Sequence, residues 1–231
     1  MERYSVIKEK NPREIILLRG KGCVYKKCTF CDYHTDKCYD DDENYTLNKS
    51  VLERVTGVYR DLEVINSGSV FELDNKTLDL IKSVCIEKGI QTIHFESHFI
   101  YNQKIPALRA FYNNFDVKMK LGLETFDYDF RERKLNKGIR ETSPERISQN
   151  FNEANLLFGI RGQTVDSMKN DILLGLKYFE RICINIMCEN STSIKPDNLV
   201  IADFLQHLYP VYKDDNRIDI LINNTDFGVG D

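Results

Sequence analysis

Seven short apolar runs, each followed by a polar turn and most by a stretch of helical period, constrain this chain more than any other feature. The runs fall at 15–18, 62–65, 92–96, 117–123, 156–160, 182–186 and 218–222, and the helical stretches at 47–61, 75–88, 105–114, 144–153, 165–179 and 197–208. Strands that alternate with helices build parallel sheets, because a parallel crossover needs a helix-length connection. Six or seven such units without a composition break predict an α/β fold, a partial (β/α)6 TIM-like barrel with parallel strands. With 231 residues, 42% of them hydrophobic, one substantial core is expected. No linker or repeat interrupts the pattern, so a single domain over 1–231 is the expectation. The acidic stretch from Asp40 to Asn44 reads as a loop.

In folds of this class the chemistry gathers at the C-terminal ends of the strands. The first run leads into Gly22-Cys23-Val24-Tyr25-Lys26-Lys27-Cys28-Thr29-Phe30-Cys31. Three thiolates suit a four-iron cluster, and three ligands leave one iron open to a substrate or a second cofactor. A zinc site with Cys38 or His34 as fourth ligand is the alternative, though a zinc knuckle usually carries a second thiolate pair at hairpin spacing and none is present. Seven cysteines is an odd number, and Met1-Glu2-Arg3-Tyr4 carries no secretory pattern. The expectation is a reduced, cytoplasmic protein. No apolar run is long enough to cross a bilayer, so no membrane partner is expected. A net charge of −4 argues against stable binding of a long nucleic acid.

These residues resemble the radical S-adenosylmethionine (SAM) superfamily, whose signature is three cysteines with three and then two intervening residues and an aromatic before the last. Here the aromatic is Phe30, while the first gap holds four residues. The resemblance implies that Cys23, Cys28 and Cys31 bind a [4Fe-4S] cluster, that SAM chelates the open iron, and that Phe30 lies near the adenine. It further implies that Ser67, Gly68 and Ser69 contact the methionine amine, that Glu124 in Gly122-Leu123-Glu124-Thr125 binds the ribose, and that Gly159 and Arg161 in Gly159-Ile160-Arg161-Gly162 border the adenine. With Asn136-Lys137-Gly138, the motifs look similar to radical enzymes acting on 7-deazaguanine bases. The implied activity is release of the free base queuine from queuosine or its 5′-phosphate by radical attack on the ribose. An electron donor such as flavodoxin or ferredoxin is implied with it. A tRNA-modifying enzyme of the same superfamily is the alternative substrate reading.

For a guanine-like substrate, Glu96 and Glu189 are candidate acceptors of ring donors and His98 a candidate hydrogen-bond partner; a solvated rim position is the plain alternative for each. Catalytic residues are left unassigned by the sequence. Arg19, Lys21, Lys26 and Lys27 either bind phosphate or an acidic donor, or offset the acidic stretch that follows. Lys134, Lys137 and Arg140 read as solvated helix-end charge. His94 reads as a core histidine, and Cys85, Cys183 and Cys188 as space-filling.

Overall fold

In a computed structural model that describes residues 1–230, the chain divides into two compact units. One comprises residues 1–26, 33–119 and 225–230, the other 27–32 and 120–224. The domain expectation runs to Asp231, which lies outside the described residues.

The first unit holds β1 (Tyr4–Ile7), β2 (Arg13–Leu18), α1 (Asp41–Leu52), β3 (Asp61–Asn66), α2 (Asn75–Glu87), β4 (Thr92–Ser97) and α3 (Ile105–Phe111). β1 runs antiparallel to β2, whereas β2 with β3 and β3 with β4 are parallel. Alternation along these strands places Ile16, Leu18, Leu62, Val64, Ile93 and Phe95 in the core, each essentially inaccessible to water. Burying an aliphatic or aromatic side chain of this size contributes about 1.5–3 kcal/mol.

The strand β5 (Asp116–Glu124) passes from the first unit, through Met119, into the second. The second unit continues with α4 (Pro144–Ser148), β6 (Glu153–Phe158), α5 (Val165–Tyr178), β7 (Arg181–Ile186), α6 (Asn198–His207), α7 (Tyr209–Tyr212) and β8 (Ile218–Leu221). β5, β6, β7 and β8 pair in parallel, each with the next. The strand order is that of the sequence, β1 to β8, and six helical crossovers link β2 to β8. This is the connectivity of a partial (β/α)6 barrel, as expected. Among the described residues no helix is long and apolar enough to cross a membrane.

Two local expectations are corrected. The acidic stretch is no loop: Asp40 caps α1, accepting from the N–H groups of Asp42 (2.9 Å) and Glu43 (3.1 Å), and Asp41, Asp42 and Glu43 form its first turn. Carboxylates there satisfy the free N–H groups and the positive end of the helix dipole. The helix accordingly ends at Leu52, well before the expected 61. The run at 156–160 ends as a strand at Phe158, because Gly159 turns the backbone with φ 91°.

Candidate active site at the strand ends

In the first unit, β2 leads through Gly20 to Cys23, a half-buried free thiol. After β3, Ser67-Gly68-Ser69 turns back toward this stretch. A Cβ on Gly68 would stand 3.1 Å from the backbone nitrogen of Cys23 and 2.0 Å from Oε2 of Glu72, so only glycine fits. Ser67 Oγ donates to Asp36 (3.2 Å), which Arg3 holds from its other oxygen (2.8 Å). Ser69 Oγ accepts from the His98 backbone N–H (2.9 Å). His98 is buried after β4; its Nδ1 accepts from the Ile100 N–H (3.1 Å), and its ring stacks on Tyr25 of the cysteine stretch at 4.6 Å. Glu96, two residues earlier, is half-buried and shares a strand face with the buried His94.

The basic residues before the cysteines are engaged by the acidic helix start. Arg19 pairs with Glu43 (2.7 Å) and donates to Asn44 (2.9 Å), and Lys21 pairs with Asp41 (3.0 Å). Of the two readings of this basic group, these contacts favour the charge-offsetting one for Arg19 and Lys21. Lys26 and Lys37 instead flank the exposed Tyr39 ring, and together their charges and hydrogen bonds lower its pKa.

In the second unit the segment 27–32 is gripped along its backbone. Leu135 O accepts from Thr29 N–H (3.0 Å), Lys134 O from Thr29 Oγ (2.6 Å), and Lys27 O accepts from Asn136 Nδ2 (2.8 Å). Asn190 Nδ2 donates to Phe30 O (2.7 Å), and both N–H and Oγ of Ser191 donate to Asp32 at 2.9 Å. Phe30 packs on the buried cluster of Leu135, Leu157, Ile160 and Met187.

Glu124 ends β5 in an unusual conformation. The pairing with β6 slips between Gly122 and Glu124, leaving Leu123 as the extra residue, and Glu124 takes φ 73°. Bulges and left-handed non-glycine residues concentrate at functional sites, where they re-aim a side chain. Here the carboxylate Oε1 meets Lys137 Nζ at 2.7 Å, with both side chains about nine-tenths buried. Lys137 is therefore not the solvated helix-end charge expected. Its Nζ lies 5.6 Å from the Phe30 ring centre. Burial opposes the ammonium charge, but Glu124 and the neighbouring Cys28 and Cys31 sulfurs outweigh it and raise the Lys137 pKa. Gly122 leaves space for the pair, since a Cβ there would sit 2.9 Å from Lys137 Nζ.

The loop carrying Lys137 is built on Arg131, fully buried within a π-helical turn, Phe130–Lys134. Its guanidinium donates to the carbonyls of Thr125 (3.1 Å), Ile139 (3.1 Å) and Glu141 (2.6 Å). Such turns recur at functional sites. Past β6, Gly159 begins a turn tied by Gln163, whose side chain accepts from Ile160 N–H (2.9 Å) and donates to Leu157 O (2.8 Å). Arg161 is exposed and pairs with Asp197 at 3.2 Å; Glu189 is exposed and pairs with Lys195, also at 3.2 Å. Glu72 and Arg131 are the structural residues that sequence reasoning passed over.

The donor chemistry fits the cofactors that the sequence suggests. Cys23, Cys28 and Cys31 are partly accessible and none is in a disulfide, and the latter two lie near the buried Lys137. Gly68, Gly122 and Gly159 leave room for Glu72, Lys137 and Ile201 respectively, each of which a Cβ would meet at under 3.0 Å.

No protein-family model matches the chain. A solved structure, queuine lyase from Clostridium spiroforme bound to SAM and queuine, is 42% identical with a TM-score of 0.96, and the likeness covers all of both chains. Methylornithine synthase is 15% identical (TM-score 0.54, 85% of this chain and 62% of the other). SuiB of Streptococcus suis bound to S-adenosylmethionine is 12% identical (TM-score 0.53, 89% and 46%). At those identities the likeness concerns the fold alone. Among curated proteins, an uncharacterized protein of Methanocaldococcus jannaschii, MJ0550, is 26% identical in an alignment of 160 residues that covers 59% of this chain and 43% of that protein, so the match spans less than half of the relative. Fold and site together define an enzyme of the radical SAM class. Within that class, the chain belongs to the queuine lyase family.

Proposed function

We propose that this chain is a radical SAM lyase that releases queuine from queuosine or queuosine 5′-phosphate. The observation that carries the reading is the end-to-end 42% identity with a queuine lyase whose structure holds SAM and queuine. The chain acts as one radical SAM domain in the cytoplasm, on a small nucleoside or nucleotide rather than on tRNA. The net charge of −4 supports the small substrate, since a nucleic-acid footprint calls for basic surplus.

Cys23, Cys28 and Cys31 hold a [4Fe-4S] cluster, and Ser67, Gly68, Ser69, Phe30, Glu124, Gly159 and Arg161 hold SAM. When bound, these groups would supply radical chemistry directed at the substrate ribose. The chain's own residues orient and shield. Glu124, locked by Lys137 and by its bulge, presents a fixed acceptor to ribose hydroxyls. Phe30 gives an apolar face packed against the second unit's core. His98, whose Nδ1 accepts from Ile100 N–H, is the hydrogen-bond partner assigned to the substrate base, and Glu96 and Glu189 are the acceptors assigned to its ring donors. A flavodoxin or ferredoxin supplies the electron.

The test is anaerobic incubation of reconstituted protein with reductant, SAM and queuosine 5′-phosphate. Formation of 5′-deoxyadenosine and free queuine together is the expected result; 5′-deoxyadenosine without base, or base released only from tRNA, rejects the substrate. Cys28→Ala should lose the cluster's iron and visible absorption, and an intact cluster would reject the ligand assignment.

A further inference from the structure

Glu72 belongs to none of the recognised motifs, yet it meets the cysteine stretch on both sides of Cys23. It sits on a 3-10 turn, Val70–Glu72, immediately after Ser67-Gly68-Ser69, and is 8% exposed. Oε2 accepts from the Ser69 N–H at 2.6 Å. Oε1 accepts from the Val24 N–H at 2.7 Å and from Tyr101 Oη at 3.1 Å. The backbone carbonyl of Glu72 accepts from the Lys21 N–H at 3.4 Å, and a Cβ on Gly20 would lie 2.8 Å from that same oxygen.

The plain explanation is a capping residue. Serine followed three residues later by glutamate is the pattern in which the acid returns to the first N–H of a turn. That accounts for the bond to Ser69 and for nothing else. A cap on a three-residue turn has no need of a second oxygen extended to a backbone N–H 48 residues away in sequence, nor of a tyrosine hydroxyl to hold it there. The glycines bear on the same point. Gly68 and Gly20 lie where the Glu72 carboxylate and carbonyl press against backbone, so the chain gives up two side chains to bring these segments together.

We propose that Glu72 is a positioning residue for the cofactor site: one carboxylate fixes the backbone beside Cys23 and the Ser67-Gly68-Ser69 turn in a single arrangement. The proposal rests on the reading above, in which Cys23 is a cluster ligand and the serine-glycine turn binds SAM. The two oxygens of a carboxylate both accept, which is what two backbone N–H donors require. Glutamine supplies one acceptor and one donor, so Glu72→Gln must turn an N–H₂ toward either Val24 or Ser69. Glu72→Asp, shorter by one methylene, keeps both acceptors but reaches only one of the two segments. Tyr101→Phe leaves both backbone bonds in place. Losing a buried hydrogen bond to a charged group costs about 1.5–3 kcal/mol, or roughly 10- to 100-fold in an equilibrium.

Amide hydrogen exchange on the metal-free protein is the first measurement. In Glu72→Gln the amide of Val24, of Ser69, or of both should exchange at least about tenfold faster than in the wild type, while Tyr101→Phe stays within about threefold. The second is SAM affinity of the reconstituted protein, expected to fall about tenfold or more in Glu72→Gln with the thermal midpoint of unfolding retained within a few degrees. If Glu72→Gln does not fold, Glu72→Asp serves both measurements, with loss at one of the two amides expected. Unchanged exchange at both amides, or unchanged SAM affinity, overturns the proposal. A wild-type protein that takes up neither iron nor SAM would instead reject the functional reading, while the exchange measurement would still decide whether the carboxylate pins these segments.

Discussion

Replacing Lys137 with methionine isolates one buried charge and tests how the second unit builds its part of the site. Lys137 Nζ and Glu124 Oε1 are 2.7 Å apart and both side chains are about nine-tenths buried. At an effective dielectric near 20, two unit charges at that separation attract by about 6 kcal/mol, most of it offset by the several kcal/mol needed to strip water from each ion. Removing only the cation forfeits the attraction and leaves the carboxylate desolvated, which costs on the order of 3–5 kcal/mol. For a chain of this size that corresponds to a fall in thermal midpoint of roughly 10 °C. The assay is thermal unfolding of the metal-free protein for Lys137→Met, Glu124→Gln and the double variant. Lys137→Met should be the least stable, and the double variant should recover much of the loss because no unpaired charge remains. A midpoint for Lys137→Met within about 2 °C of wild type, or effects that simply add, would refute the reasoning, since Glu124 would then have another way to satisfy its charge.

Asp171 carries a pH signature in the same unit. It is 3% exposed, accepts from the Phe126 N–H at 2.7 Å, and burial pushes its carboxyl up to about 6 from an ordinary value of 3.8. The folded state therefore holds this proton more tightly, and the stability it contributes is complete below pH 3.8 and lost as pH rises through 6. Relative to Asp171→Asn, the wild type should lose on the order of 3 kcal/mol between pH 4 and 7 in denaturant titrations, and parallel profiles would exclude the effect. Arg131→Met strands the carbonyls of Thr125, Ile139 and Glu141 and should cost about 3–5 kcal/mol of stability. Arg131→Lys should recover little, because one ammonium cannot span three acceptors held by a planar fork; full recovery in melting experiments would contradict that account.

The barrel connectivity was legible because each parallel strand is a compact apolar run, and the observed β2 to β8 begin and end within a few residues of the runs. β1 was not: Tyr4–Ile7 is short, half-buried along its length, and defined only by antiparallel pairing with β2. The acidic helix start was misread because Asp and Glu serve loops and helix N-termini equally well, and only the Asp40 hydrogen bonds distinguish the two. The cysteines and the serine-glycine turn could be found by spacing. Lys137 could not. Its burial depends on the slipped pairing at Leu123, on left-handed residues at Glu124 and Asn136, and on a buried arginine six residues away, none of which has a local signature. Glu72 was half-visible, as the acid of a Ser-x-x-Glu cap, while its reach to Val24 is purely tertiary.

These anchors also account for the departure from the superfamily's cysteine spacing. The cysteine segment is held by its backbone at both ends of the irregular gap: Lys21 and Val24 bond to Glu72 in the first unit, and Lys27, Thr29 and Phe30 bond to 134–136 and Asn190 in the second. Of the four residues between Cys23 and Cys28, the outer two, Val24 and Lys27, each belong to one of these sets, and Tyr25 and Lys26 lie between them. Within the gap Lys26 adopts φ 51°, a left-handed turn that redirects the chain. An extra residue there changes the path between anchors and leaves the anchors themselves in place. The position of each thiol is then set by the backbone bonds nearest it, and the count of residues between cysteines is free to vary as long as those bonds survive.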